Sequence, residues 1–216
     1  DFDISKLVQS PLAKIEKLDE DKIKKPIDIY GDRKNSSGLD LSEEDVIDTL
    51  QFNGKFKDIK AYSLINGEDI KSDQVFDIKS PHSSVTLGKK YFADEKISEA
   101  AIESLKEYSS KWKKFPIEKK AEIFLKFADL IEENTNDIIE ICAKESGKSI
   151  KNSIAEIREA VDFCRYYSKE ALNLFQTQTL KGPTGELNQY RMVGKGLSFV
   201  ISPWNFPVAI FIGQTV

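Results

Sequence analysis

Residues 199–216 carry eleven apolar side chains and no charge in eighteen positions. A run that apolar must be buried, either by a bilayer or by a protein core. Two prolines decide between them. Pro203 and Pro207 stand inside the run, flanking Trp204, Asn205 and Phe206, so it cannot form the single fully paired helix that a membrane span requires. A buried strand, a turn and the start of a buried helix fit instead. Such a core is within reach of 216 residues of which 40% are apolar.

Charged residues make up 31% of the chain, but 36 acids and 32 bases leave a net charge of only −4. There is no broad cationic surface to attract nucleic acid. Residues 1–25, rich in Lys, Asp and Glu around Leu7, Ile15 and Leu18, read as a linker or peripheral helix, and residues 26–216 as part of one domain. No basic-then-apolar leader is visible, and Cys142 and Cys164 both fall in helix-like stretches. A reduced, cytoplasmic protein is therefore expected.

The order of patterns along the chain indicates an α/β fold. Residues 30–38 form a loop by their Gly, Asn and Ser content and lead to a helix start at Ser42-Glu43-Glu44-Asp45, with the helix running to about Phe52. Ala61, Tyr62, Leu64 and Ile65 run up to Asn66-Gly67, the strongest short hairpin signal, and strand-like pieces follow at 74–78 and 85–92. Residues 95–175 have helical periodicity, interrupted at Pro116 and again at Gly147, which suits a left-handed helix terminus. Residues 182–186 read as a turn, 188–193 as a strand, and 197–201 as an apolar strand after the Gly194-Lys195-Gly196 turn.

The segment Val200-Ile201-Ser202-Pro203-Trp204-Asn205-Phe206-Pro207 is the candidate site. It forms a rigid platform at the carboxyl end of a strand, where α/β sheets place ligands, and a carboxamide there can donate to a developing oxyanion. A proline-rich turn with Trp204 and Phe206 in the core is the alternative that the residues alone leave open.

This segment resembles the Pro-Trp-Asn-Phe-Pro motif of the aldehyde dehydrogenase superfamily. Residues 158–167 (Arg-Glu-Ala-Val-Asp-Phe-Cys-Arg-Tyr-Tyr), Gly182-Pro183-Thr184-Gly185-Glu186-Leu187-Asn188 and residues 202–214 are similar to the 1-pyrroline-5-carboxylate dehydrogenase module of bifunctional proline-utilisation (PutA) proteins. Ile29-Tyr30-Gly31 with residues 35–41 resembles the segment that precedes that module. The resemblance implies an aldehyde dehydrogenase-like α/β fold, of which this chain supplies the helical front of the NAD-binding domain plus hairpin strands. It implies NAD as cofactor, and oxidation of L-glutamate γ-semialdehyde to glutamate through a cysteine thioester. Asn205 becomes the catalytic oxyanion donor, Ile201, Ser202, Pro203 and Trp204 line the cofactor, and Glu159 and Phe206 face the substrate. For Glu159 an ion pair with Arg158 or Arg165 stays open as the alternative.

In that family the nucleophilic cysteine and general-base glutamate follow the asparagine motif, so this chain is expected to be an amino-terminal portion, inactive alone. Cys142 and Cys164 read as buried structural thiols. His82 has no second ligand at metal spacing, so no metal is expected, and Gly194-Lys195-Gly196 precedes a strand, unlike a dinucleotide fingerprint. The expected partners are the small aldehyde and either a complementing chain or further copies, with no nucleic acid and no membrane. A non-enzymatic module docking onto an aldehyde dehydrogenase is the competing function.

Overall fold

A computed structural model of the chain describes residues 26–54, 56 and 58–216, together with Val8, Ser10 and Lys24. The linker or peripheral helix expected over residues 1–25 otherwise lies outside the described residues. The chain divides between Asn35 and Ser36 into two units. In the first, a 3-10 turn, Pro26–Asp28, is closed by Asn35, whose Nδ2 donates to the Pro26 carbonyl at 2.7 Å and whose N–H donates to the Ile27 carbonyl at 3.2 Å.

The second unit carries every other element among the described residues. Helix α1, Glu44–Asp48, stops short of the predicted end near Phe52. The reason is local: the Thr49 hydroxyl donates to the Val46 carbonyl at 2.6 Å, and Leu50 N–H falls back on Ile47. The hydroxyl takes the acceptor that the next helical turn needs. Strand β1, Ile59–Ala61, is followed after Tyr62 by β2, Ser63–Ile65, so the predicted single run is split. Tyr62 stacks on Tyr91 with ring centroids 4.6 Å apart at the point where the chain changes sheet. The hairpin of β2 with β3, Glu68–Ile70, turns at Asn66-Gly67 as predicted. Both turn residues have positive φ, 53° and 82°, the geometry that matches strand twist. Strand β5, Thr86–Tyr91, is central to a three-stranded sheet, with β1 parallel on one side and β4, Val75–Lys79, antiparallel on the other.

Four helices fill residues 95–174, as the periodicity predicts. Helix α2, Glu95–Lys114, starts at Asp94, whose carboxylate accepts from Ile97 N–H at 2.8 Å. Pro116 separates it from α3, Ile117–Glu133, and α4, Thr135–Ser146, ends at Gly147 with φ 70°. Helix α5, Ile150–Leu174, is capped by the Ser149 hydroxyl. Its row of Ile154, Ile157, Ala160, Val161 and Cys164 is buried against Ala128 and Ile131 of α3 and Ile139 of α4. Each isoleucine so enclosed contributes about 1.5–3 kcal/mol of transfer free energy. Helix α2, by contrast, buries no residue. Among the described residues no helix is long and apolar enough to cross a membrane.

Beyond α5 the chain forms a ribbon of β6, Gln178–Leu180, with β7, Asn188–Tyr190. The strand predicted over 188–193 ends at Tyr190 because its partner begins at Gln178, directly opposite. The strand predicted over 197–201 does not form. A strand exists only by pairing, and no described strand lies beside these residues, which leaves Phe199 90% and Ile201 73% exposed. Helix α6, Ala209–Thr215, closes the chain and adds Ile212 to the core. It lies so close to α5 that a Cβ on Gly213 would stand 2.6 Å from Phe163 Cδ2. Gly213→Ala is therefore expected to cost about 1–3 kcal/mol in denaturant unfolding, the range for overpacking a filled site, and Phe163→Leu in the same background should recover part of it. An unchanged midpoint would mean that α6 does not pack this tightly.

Candidate functional site

The site is mounted on the turn between α4 and α5. Gly147 takes the left-handed conformation, Ser149 caps α5, and Lys148 is held between them with its side chain only 14% exposed. The Lys148 ammonium donates to Glu156 Oε1 at 2.7 Å and to the Asn205 main-chain carbonyl at 2.6 Å. It also lies 4.9 Å from the centroid of the Phe206 ring. Glu156, one turn and a half into α5, has a side chain only 1% exposed. Its second oxygen accepts from Val208 N–H at 3.1 Å and Ala209 N–H at 2.8 Å, the first donors of α6. A buried carboxylate is tolerated only when its lone pairs are filled by charged and main-chain donors, and here they are.

The segment held by this pair is a turn in which Phe206 N–H donates to the Pro203 carbonyl at 3.2 Å. Trp204 is 82% exposed and Phe206 41%, so the aromatics do not fill the core and the core-turn alternative does not describe them. The Asn205 carboxamide is exposed and makes no hydrogen bond among the described residues. Residues 197–202 make no main-chain hydrogen bond among the described residues either. Ile201 and Ser202 thus present an open main-chain edge, followed by Pro203, whose carbonyl closes the turn, and the exposed Trp204 indole, leading to a main chain that carries a free amide.

Glu159 is exposed one helical turn beyond Glu156. The two arginines offered as its partners are engaged elsewhere. Arg165 reaches Asp129 at 2.9 Å and Glu132 at 2.6 Å, and Arg158 Nε lies 3.4 Å from the Ser36 hydroxyl. Burial opposes charge on both members of the Arg165–Glu132 pair, yet their mutual hydrogen bonds prevail. They hold the Glu132 carboxyl below the usual carboxylate range and raise Arg165.

Cys142 and Cys164 are buried free thiols, and burial pushes both up to about 11. For Cys142 the nearby Glu156 carboxylate acts in the same direction. His82 shares a 2.8 Å hydrogen bond with the Ser80 hydroxyl, and no group of three metal-ligating side chains occurs among the described residues. Sequence reasoning missed Lys148 and Glu156. The signal was present, since Glu156 falls in the row of Ser153, Ile157 and Ala160 that α5 buries, where an ordinary carboxylate does not belong.

Known proteins share the sequence pattern and fold of this chain. Residues 69–216 match the model of the aldehyde dehydrogenase family. The 1-pyrroline-5-carboxylate dehydrogenase of Bacillus subtilis (strain 168) is 34% identical over 159 residues, covering 73% of this chain and 31% of that protein. Among solved structures, proline utilization A (PutA) from Bdellovibrio bacteriovorus superposes with a TM-score of 0.80 at 30% identity, over 89% of this chain and 20% of the other. A Thermus 1-pyrroline-5-carboxylate dehydrogenase with bound NAD gives 0.78 at 26% identity, over 84% of this chain and 36% of the other. The chain spans about a third or less of the length of these proteins. Their shared fold, and the family match over residues 69–216, establish that this chain belongs to the aldehyde dehydrogenase family.

Proposed function

We propose that this chain supplies the oxyanion donor and one wall of the cofactor cleft of an NAD-dependent 1-pyrroline-5-carboxylate dehydrogenase, which oxidises L-glutamate γ-semialdehyde to glutamate. The observation that carries the proposal is the Asn205 carboxamide, free at its tip while its main chain is held by Lys148. When a thiolate adds to the aldehyde carbon, the carbonyl oxygen takes up the negative charge, and an amide N–H reaching it from a held main chain stabilises that charge. NAD, when bound, supplies the hydride acceptor. Residues 201–204 suit a flat heteroaromatic ring, since the Ile201 and Trp204 side chains are exposed and the main chain of Ile201 and Ser202 is unpaired among the described residues. Glu159, an exposed carboxylate, would attract the substrate's ammonium group, and Phe206 would border its carbon chain.

Neither cysteine of this chain fits the nucleophile. A thiol at about 11 is almost wholly protonated at neutral pH, and both are enclosed by helices. The thiolate in this reading comes from outside these 216 residues, and the chain alone is inactive. The exposure of Phe199, Ile201 and Trp204 also favours a second reading, in which the chain is a non-enzymatic module that docks onto an aldehyde dehydrogenase partner. NADH formation from 1-pyrroline-5-carboxylate separates the two. It should be absent for the chain alone and appear when the chain is combined with the family segment bearing the cysteine; the docking reading gives binding without turnover.

In that combined enzyme, Asn205→Ala should lower kcat about 10²-fold or more, the scale for losing one oxyanion donor. An unaltered kcat would remove Asn205 from the mechanism. The cysteines give an independent check. At pH 8 an alkylating reagent should label neither thiol of the folded chain and both after unfolding. Because burial raises these thiols from about 8.5 in an unfolded chain, their favourable effect on folding is complete below that pH and declines as pH rises toward 11. Rapid labelling of either thiol in the folded state would reopen it as a nucleophile.

A further inference from the structure

We infer that Lys148 and Glu156 are positioning residues that aim the Asn205 carboxamide, an inference that rests on the oxyanion reading of Asn205 above. An ammonium group has three donors and no acceptor. Lys148 directs its charge at a carboxylate, at the carbonyl of residue 205, and at the ring of residue 206. Two of those three partners belong to the Pro203–Phe206 turn, 57 residues away in sequence from the lysine. Capping α6 alone would not require this arrangement, since any acceptor at residue 156 would satisfy Val208 and Ala209 N–H.

The geometry restrains Asn205 from both directions along the chain. Its own carbonyl is held by Lys148, and the turn is closed ahead of it by the hydrogen bond from Phe206 to Pro203. Two residues further on, Glu156 holds the main chain at Val208 and Ala209. Only the two side-chain torsions of Asn205 stay free, so the reach of its amide is set by how firmly the clamp holds the main chain. Oxyanion donors act within a few tenths of an ångström, and a displacement of about 1 Å can cost about 10²-fold in rate. The ion pair itself is nearly dry, with Glu156 at 1% and Lys148 at 14% side-chain exposure, which strengthens the anchor from which Lys148 reaches out to the exposed Asn205 carbonyl.

Two measurements test the clamp. Hydrogen exchange of the 216-residue chain, read by mass spectrometry, compares the wild type with Lys148→Met, which keeps the aliphatic stem and loses both hydrogen bonds. The amides of Phe206 and of residues 208–212 should exchange at least about tenfold faster, with α3 and α5 unchanged, and Lys148→Arg should restore most of the protection. Lys148→Met leaves a buried carboxylate without its cation, so Lys148→Met with Glu156→Gln is made as well. It removes both charges, keeps an acceptor for α6, and should still speed exchange of the Phe206 amide. Unchanged exchange there in both variants overturns the inference.

In the combined enzyme, Lys148→Met should lower kcat about 10- to 100-fold with KM for NAD and aldehyde changed by no more than about twofold. In an Asn205→Ala background the same substitution should have no further effect, because its action passes through the carboxamide. Additive losses would mean that Lys148 only supports the fold, and would overturn the positioning role. If Asn205→Ala alone leaves kcat unchanged, the oxyanion reading fails, while the exchange measurement still decides whether the clamp holds the turn.

Discussion

The carboxylate of Glu156 is the constraint on which this part of the molecule depends. It lies inside the packed helices and is shared between an ammonium group and the first main-chain donors of α6. Removing a carboxylate from water is expensive, and a lone one would be expelled or protonated. Its presence therefore requires Lys148 to be folded inward, and that in turn requires the left-handed residue Gly147 to bring the chain round at the end of α4. From that sequence of requirements comes the placement of the Pro203–Phe206 turn. One ion pair thus joins the end of α4, the second turn of α5, the start of α6 and the turn between them.

Helix α5 serves as the common mount. Its apolar row makes the core, while its charged residues reach in other directions. Asp162 accepts from the Ser36 N–H and hydroxyl at 2.8 and 2.9 Å, and Arg165 joins Asp129 and Glu132 of α3. Glu132 also accepts from Ser37 N–H at 2.7 Å. The loop at Ser36 and Ser37 is consequently attached to two helices through carboxylates, a polar fastening of a segment that has few apolar atoms to bury. The same helix therefore fixes an early loop and the late platform, which keeps both in register with the core.

Much of this was legible in the residues. Helical spacing marked three or four helices over residues 95–175, Gly147 marked one boundary, Asn66-Gly67 marked the hairpin, and the two prolines marked the turn. These features follow from local backbone preferences, which a sequence displays directly. What was not legible depended on neighbours. The strand expected over 197–201 has the right composition, but pairing is a property of two segments, and no described segment lies alongside. The early end of α1 came from one hydroxyl competing for a carbonyl. The parallel pairing of β1 with β5, and the contact of Lys148 with Asn205, join residues whose proximity no spacing rule encodes. Glu156 and Arg165 were distant contacts with a visible sign, charges placed in the buried row of α5.

The clamp also bears on the order of assembly. Helices α3, α4 and α5 are consecutive, and their mutual packing closes short loops, which form quickly. The bonds from Lys148 to Asn205 and from Glu156 to Ala209 close spans of 57 and 53 residues, at a greater loss of chain entropy. They can form only after α5 is in place to present both side chains. The Asn205 turn therefore takes its shape from side chains that the helical core presents, so the segment proposed for chemistry is only as ordered as the scaffold beneath it.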